Sequence, residues 1–524
     1  MRDFHLPGRS AVYATNGICA TSHPLAAGVA VDILRRGGNA LDAAIAGAVL
    51  LGLAEPQMTG IGGDCFTLIS PAGSDDVIAV NGSGRAPKAA SAAALRDKGL
   101  ETVPLHTPDA VTIPGAVDAF CTMSEKWGKL GLADILAPAI HYMEHGVPVA
   151  PRVAFDWAKD TAALQGHGRK HFQPGAVPNP GDLFALPAQA EALKRIAAQG
   201  RAGFYEGEVA EDMVKTLNAL GGVHTLEDFA DTRCTIGAPI GSDYRGRTLL
   251  EHPPNGQGII AQLILNILSQ FDLAALDPFG AERIHLEAEA AKLAYDARSR
   301  FLADPATMTG LDHLTSMETA ARLAALIDPN RAMASAAKTS EAVHKDTIYI
   351  TVVDKDRMAV SLIYSIFHGF GSGIASEKFG ILFQNRGAGF SLKEGHPNEM
   401  TGGQRPMHTI IPAMLCDGGR VTMPFGVMGG QYQPNGHARV VSNMTDFGMH
   451  AQEALDAPRS FAFDGKLQLE RGFAPEVAAA LSEKGHVIET PETPLGGAQS
   501  IVIHETGVLE GASDPRKDGC ALGY

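Results

Sequence analysis

Ala40 to Leu53 reads ALDAAIAGAVLLGL, a helical run in which Asp42 is the one charged residue and almost every other side chain is small and apolar. A helix that is apolar all round cannot rest one face on a core and show the other to water, so it has to be covered on every side. At 524 residues the chain can hold several ordinary domains or one large layered domain sharing a continuous core, and length alone does not choose. No internal repeat and no linker divides it. Asn39 is placed to cap the apolar helix, and Gly37-Gly38 end a preceding helix, from about Leu25 to Arg36, that His23 and Pro24 introduce. Before these, Ala11 to Ala20 reads as one short strand. Glu55 to Phe66 forms a glycine-rich bend that leads into a strand-like FTLIS.

Charge and cysteine usage remove several classes of function. The formal net charge is -15, from 43 basic and 58 acidic residues, with no basic cluster, which excludes a nucleic acid or an anionic membrane as partner. The six cysteines stand singly, without CxxC spacing or a neighbouring histidine group, and read as free thiols in reducing cytosol. The first residues lack the apolar run of a secretory signal, and no stretch is apolar enough to span a bilayer, so a cytoplasmic location is expected. No metal or cofactor is implied. The glycine-rich GIGGDC and GFGSG lack both the GxxxxGK[ST] pattern and the strand, spaced glycines and helix of a nucleotide site.

The most informative local pattern lies later. Residues 329 to 346 have no clean period and no run of large apolar residues, and read as exposed and mobile. Then Ile348, Ile350 and Val352 alternate with Thr347, Tyr349 and Thr351, a period of two that predicts a half-buried strand. A polar turn, Asp354 to Arg357, and a second strand, MAVSLIYS, complete a hairpin. A symmetric turn pairs Val353 with Met358 and Thr347 with Tyr364, leaving Ser365 one position away unless a bulge or slip intervenes. Elsewhere, a helix from about Ala281 to Phe301 carries a charged stripe with Glu287, Lys292, Asp296 and Arg298, which reads as a solvated face.

Ordered motifs over nearly the whole chain resemble the gamma-glutamyltransferase family. They are Gly37-Gly38-Asn39-Ala40 with Asp42-Ala43-Ala44, Gly60-Ile61-Gly62-Gly63, Asp346-Thr347 with Val352-Val353-Asp354, and Gly369-Phe370-Gly371-Ser372-Gly373. Gly380-Ile381-Leu382, Asn385, Arg405-Pro406, Gly429-Gly430 and Gly511-Ala512-Ser513-Asp514-Pro515-Arg516 continue the series. The resemblance implies an α+β fold, a four-layer αββα sandwich of two antiparallel sheets between helical layers, as in N-terminal-nucleophile hydrolases. It implies a precursor that cuts itself between Asp346 and Thr347. A large subunit, 1–346, and a small one, 347–524, then stay together in one intertwined catalytic domain that can pair into a homodimer. Freed Thr347 would be the nucleophile, and its α-amine, with a reference pKa of about 7.7 to 8.0, the base. Gly429 and Gly430 match the backbone donors of an oxyanion hole, and Ser365 matches a hydroxyl that hydrogen-bonds the nucleophile. On pattern alone each has a plain alternative: a β-branched residue opening a strand, a glycine turn, a strand hydroxyl.

The sequence departs from the family where a glutamyl group would be held. Ser83 stands where an arginine binds the α-carboxylate, Gly389 where an aspartate binds the α-amino group, and His408 and Thr409 replace paired serines. Such a pattern resembles the branch that includes oxamate amidohydrolase, whose substrate carries a carboxylate beside its amide and no amino group. Arg85, Arg386 and His408 are then candidates to bind the acid group, with Asn385 as a further substrate-binding position; each also fits a surface or supporting role. The expected activity is hydrolysis of a small carboxylate-bearing amide. The alternatives are a gamma-glutamyltransferase with shifted recognition residues and an unprocessed protein that only binds.

Overall fold

The hairpin after Thr347 lies in the middle of a seven-stranded sheet, and a second seven-stranded sheet packs across it. The coordinates are a computed structural model, which describes residue 5, residues 8–333 and residues 347–524. Asp346 and most of the 329–346 segment therefore lie outside the described residues; of the remainder, Pro329, Asn330 and Arg331 are exposed. In chain order the strands of the two sheets are β1 (Val12–Ala14), β2 (Ile18–Thr21), β3 (Asp64–Ser70), β4 (Ile78–Gly82), β5 (Thr235–Gly237), β6 (Ile240–Tyr244) and β7 (Arg247–Glu251). They continue as β8 (Ile348–Val353), β9 (Ala359–Ser365), β10 (Ala413–Asp417), β11 (Arg420–Met428), β12 (Gly497–Ile503), β13 (Leu509–Ser513) and β14 (Cys520–Gly523). One sheet has the order β14-β2-β8-β9-β3-β4-β5 and the other β1-β13-β12-β11-β10-β7-β6, with antiparallel pairing throughout. Each sheet mixes strands from before and after Thr347, so the two segments share their cores.

Helices cover both outer faces. Helices α1 (Pro24–Arg35) and α2 (Ala40–Ala54) form one hydrophobic cluster with Ile348, Ile350, Val352, Val360 and Leu362. Every residue of α2 is buried, as its composition requires, and Gly47 lets it approach β8: a Cβ there would lie 2.5 Å from Ile350 Cδ1. Asn39 and Asp42 close a capping box at its start. On the far side, α3 (Gly258–Leu268), α4 (Ala281–Phe301) and α5 (Gln433–Thr445) pack on Leu249, Ala413, Leu415, Phe425 and Val427. Between the sheets lie Ala20, Leu68, Val353, Met414 and Ile501. The layers run helix, sheet, sheet, helix.

Four local expectations are corrected. The single strand over Ala11 to Ala20 is two, because the chain turns at Thr15 and Asn16, whose N–H groups bond the Tyr524 carbonyl, and crosses from one sheet to the other. Strand β8 is buried on both faces, not half-buried, since a helical layer covers one face and a sheet the other. The stripe on α4 is not a solvated face: Glu287 and Arg298 are 3% and 7% exposed. Glu287 accepts from Arg283 Nε at 2.8 Å, and Arg298 Nη1 donates to Gln257 Oε1 at 2.8 Å. The hairpin register also shifts by one. Val353 pairs with Ala359 and Ile348 with Tyr364, because Arg357 takes a positive φ of 68° and the turn holds an extra residue. Asp354 fixes that turn by accepting from Asp356 N, Met358 N and, from α2, Ala40 N.

Candidate active site

Strand alternation puts Thr347 on the side of Tyr349 and Thr351, facing the second sheet rather than the helices. It is 1% exposed. The shifted register, continued by one pair, sets Thr347 opposite Ser365, and Thr347 Oγ1 lies 3.3 Å from Ser365 Oγ. Ser365 also accepts from Phe367 N at 2.9 Å and from Arg386 Nη2 at 3.3 Å. On its other side it pairs with Asp64, the first residue of β3.

The second sheet brings the glycine pair to the same end of the sandwich. Tyr349 lies under Gly426, where a Cβ would come within 2.4 Å of its ring, and Met428 joins Tyr349, Phe66, Ile363 and Ile410 in a small cluster between the sheets. Beyond Met428 the chain turns sharply. Gly429 and Gly430 have φ of 115° and 52°, values that glycine adopts without strain, and a 3-10 turn from Gly430 to Tyr432 then runs into α5. Neither glycine N–H has an acceptor among the described residues. Donors at the start of a helix, without partners and carrying its positive end, suit a developing oxyanion.

Hydrogen bonds tie these parts together. Arg386 Nη1 donates to Thr409 Oγ1 at 2.8 Å while Nη2 reaches Ser365. Gln257 Nε2 donates to the carbonyls of Thr409 and Gly430 at 2.8 and 2.9 Å, and Arg298 holds the Gln257 oxygen. A continuous path thus leads from Thr347 through Ser365, Arg386, Thr409 and Gln257 to Gly430. Arg386 is 0% exposed, with its guanidinium 3.9 Å from the centre of the Phe367 ring. Its Nε has no hydrogen-bond partner, and the residue makes no ion pair among the described residues. Burial pushes its pKa down to about 9, with Asp64 opposing the shift.

Asp64 and His408 form a buried pair beside it. His408 Nδ1 accepts from Ile410 N at 3.3 Å, so its proton sits on Nε2 and is given to Asp64 Oδ2 at 3.0 Å. Burial, then Arg386, hold the His408 pKa well below its ordinary value, and the ring is neutral. Asp64 Oδ1 accepts from Gly84 N and Gln384 Nε2, both at 2.8 Å, yet burial still pushes its pKa up to about 6.

The remaining candidates are occupied differently. Asn385 Oδ1 accepts from His368 N and faces His368 Nδ1, and its Nδ2 donates to Leu105 O. Arg85 is apart: its side chain is 41% exposed and bonds the Gly403 carbonyl at 3.0 Å and faces Asp304 at 3.6 Å. The Ser83 hydroxyl is spent on Asn81 at 2.7 Å. At Gly389 a Cβ would lie 2.8 Å from the Met407 carbonyl, so the backbone there leaves no room for an acidic side chain. Sequence reasoning missed Asp64 and Gln257. A charged residue opening the strand DCFTLIS was the available signal for Asp64; none marked Gln257.

With this arrangement in view, the chain belongs to the gamma-glutamyltranspeptidase family, whose profile matches residues 26–524. It is a self-processing amide hydrolase of the N-terminal-nucleophile type. It is 36% identical to a glutathione hydrolase-like proenzyme of Bacillus subtilis, over 98% of this chain and 99% of that one. It is 35% identical to the oxamate amidohydrolase proenzyme of Klebsiella pneumoniae subsp. pneumoniae, over 98% and 99%. The crystal structure of a cephalosporin acylase from Bacillus halodurans superposes with a TM-score of 0.93 at 37% identity, covering 100% of this chain and 99% of that one. Among the described residues no helix is long and apolar enough to cross a membrane.

Proposed function

We propose that the chain cuts itself between Asp346 and Thr347 and that the freed Thr347 hydrolyses a small amide bearing a carboxylate, with oxamate as the model substrate. Arg386 carries this reading. Among the described residues this wholly buried guanidinium bonds two hydroxyls and makes no ion pair, a costly arrangement, and a carboxylate arriving on its planar fork offsets that cost. Of the other candidates, His408 and Asn385 shape the surroundings of Arg386, and Arg85 stands toward the outside. Gly389 gives nothing to bind an α-amino group, which argues against a glutamyl substrate.

The reaction follows from the groups at hand. The neutral α-amine of Thr347 takes the hydroxyl proton as Oγ1 attacks the amide carbon. The N–H groups of Gly429 and Gly430 hold the oxyanion. Collapse breaks the C–N bond, the amine returns the proton, and ammonia leaves an oxalyl ester on Thr347. Water then attacks that ester, with the same amine as base, and releases oxalate. Ser365 orients the nucleophile and couples it to Arg386. Residues 1–346 and 347–524 become the two subunits, held together by the strands they share.

Intact mass spectrometry of the purified protein tests the cleavage. Incubation with oxamate and with gamma-glutamyl p-nitroanilide, side by side, tests the substrate. Two fragments meeting at Asp346 and Thr347, with ammonia released from oxamate alone, are expected; an uncut chain, or turnover of the glutamyl compound alone, refutes the reading.

A further inference from the structure

The geometry points to a divalent-cation site of the zinc type, formed by His285 and Glu289 of α4 together with His486. One ligand atom from each of these buried residues lies within 4.8 Å of the other two. His285 and Glu289 are four apart on α4 and share a face, while His486 comes from the loop after a helix at Pro475–Glu483. His285 Nδ1 and His486 Nε2 are 2.8 Å apart.

Two features make this a built site rather than a chance meeting. His285 Nε2 faces the Asp328 carbonyl at 2.8 Å, which places the ring proton on Nε2 and leaves the Nδ1 lone pair aimed at the cluster. A backbone carbonyl orienting a histidine in this way is the usual support of a metal-binding imidazole. Glu289 is oriented too, because its Oε2 accepts from Met333 N at 2.8 Å. Two imidazoles and a carboxylate are the donor set of open zinc sites, with a fourth position left for water or a backbone oxygen.

Lys292 is the competitor. Its Nζ lies 2.7 Å from Glu289 Oε1 and 3.1 Å from the Met333 carbonyl, and its side chain is 15% exposed. The flexible stem lets the ammonium swing to solvent as a cation enters. Binding would tie α4, the loop at His486 and residues 328–333 to one point.

The test is titration of the metal-stripped, full-length protein with Co2+, read by its visible absorption, followed by displacement with Zn2+. One saturable Co2+ per chain is expected, with intensity of a four-coordinate ion. His486→Gln should abolish it and Glu289→Gln should weaken it at least tenfold. Lys292→Met, which removes the competing charge and leaves all three ligands, should bind several-fold more tightly, so the test survives a misfolded histidine variant. Absence of saturable binding in the wild type, or unchanged binding in a folded His486→Gln variant, overturns the proposal.

Discussion

Thr347 Oγ1 and Ser365 Oγ lie 3.3 Å apart across the paired ends of β8 and β9, and Ser365 Oγ is at the same time the acceptor for Phe367 N and Arg386 Nη2. One hydroxyl therefore joins the nucleophile candidate to the buried cation. Its position depends on the turn five residues long between Val353 and Ala359, anchored by Asp354 on the N-terminus of α2. Chemistry at one end of the hairpin is set by packing at the other.

Thr347→Ala should leave the precursor uncut and release no ammonia from oxamate, whereas Thr347→Ser should keep both reactions at reduced rate. A denaturing gel and an ammonia assay read the outcome. Hydrolysis by an uncut Thr347→Ala protein would remove Thr347 from the mechanism.

Ser365→Ala deletes the acceptor of three donors while leaving strand geometry intact. Loss of a hydrogen bond to a charged group costs about 1.5 to 3 kcal/mol, so kcat/KM for oxamate should fall roughly ten- to a hundredfold. An unchanged rate in the processed variant would make Ser365 a mere strand residue.

Arg386→Met should act mainly on KM, since it removes the bidentate partner of the substrate carboxylate; truncating such a pair costs about 2 to 5 kcal/mol. Arg386→Lys should restore little, because a point charge does not replace the fork. Steady-state kinetics with oxamate and with a neutral amide separate the cases: equal losses on both substrates would deny carboxylate recognition.

Gly429→Ala forces a side chain onto a φ of 115°, with its Cβ 2.8 Å from Gly496 Cα. The turn must shift, and loss of one oxyanion donor costs about 10²- to 10³-fold in kcat. The comparison is single-turnover rate on processed protein, with circular dichroism to confirm folding. Retention of wild-type kcat would move the oxyanion site elsewhere.

Stability should carry the signature of Asp64. Burial raises its pKa from 3.8 to about 6, so between those values the folded chain keeps a proton that the unfolded chain has lost. The contribution is complete below about pH 4, declines as pH rises to about 6 and stays lost above, a swing of about 3 kcal/mol at 1.36 kcal/mol per pKa unit. Urea midpoints of the wild type relative to Asp64→Asn should fall across that window; a difference independent of pH would contradict the buried assignment.

Short-range signals were enough for much of the architecture. The apolar run at Ala40–Leu53, the Asn39 cap, the ends of α4 at Ala281 and Phe301 and the hairpin after Thr347 were legible because caps and periodicity act over a few residues. The glycines at 429 and 430 were legible too, as a turn. Tertiary structure alone decided which charges are buried and which hydroxyls meet. Arg357's positive φ set the register that pairs Thr347 with Ser365. Covering α4 from both sides turned Glu287 and Arg298 from a solvated stripe into buried partners of Arg283 and Gln257. Asp64 became the neighbour of Ser365 and His408, 344 residues from the latter, through sheet pairing that no local pattern encodes. Local sequence determines what each segment prefers to be, while the protonation and partners of a buried group depend on desolvation by segments far away in the chain.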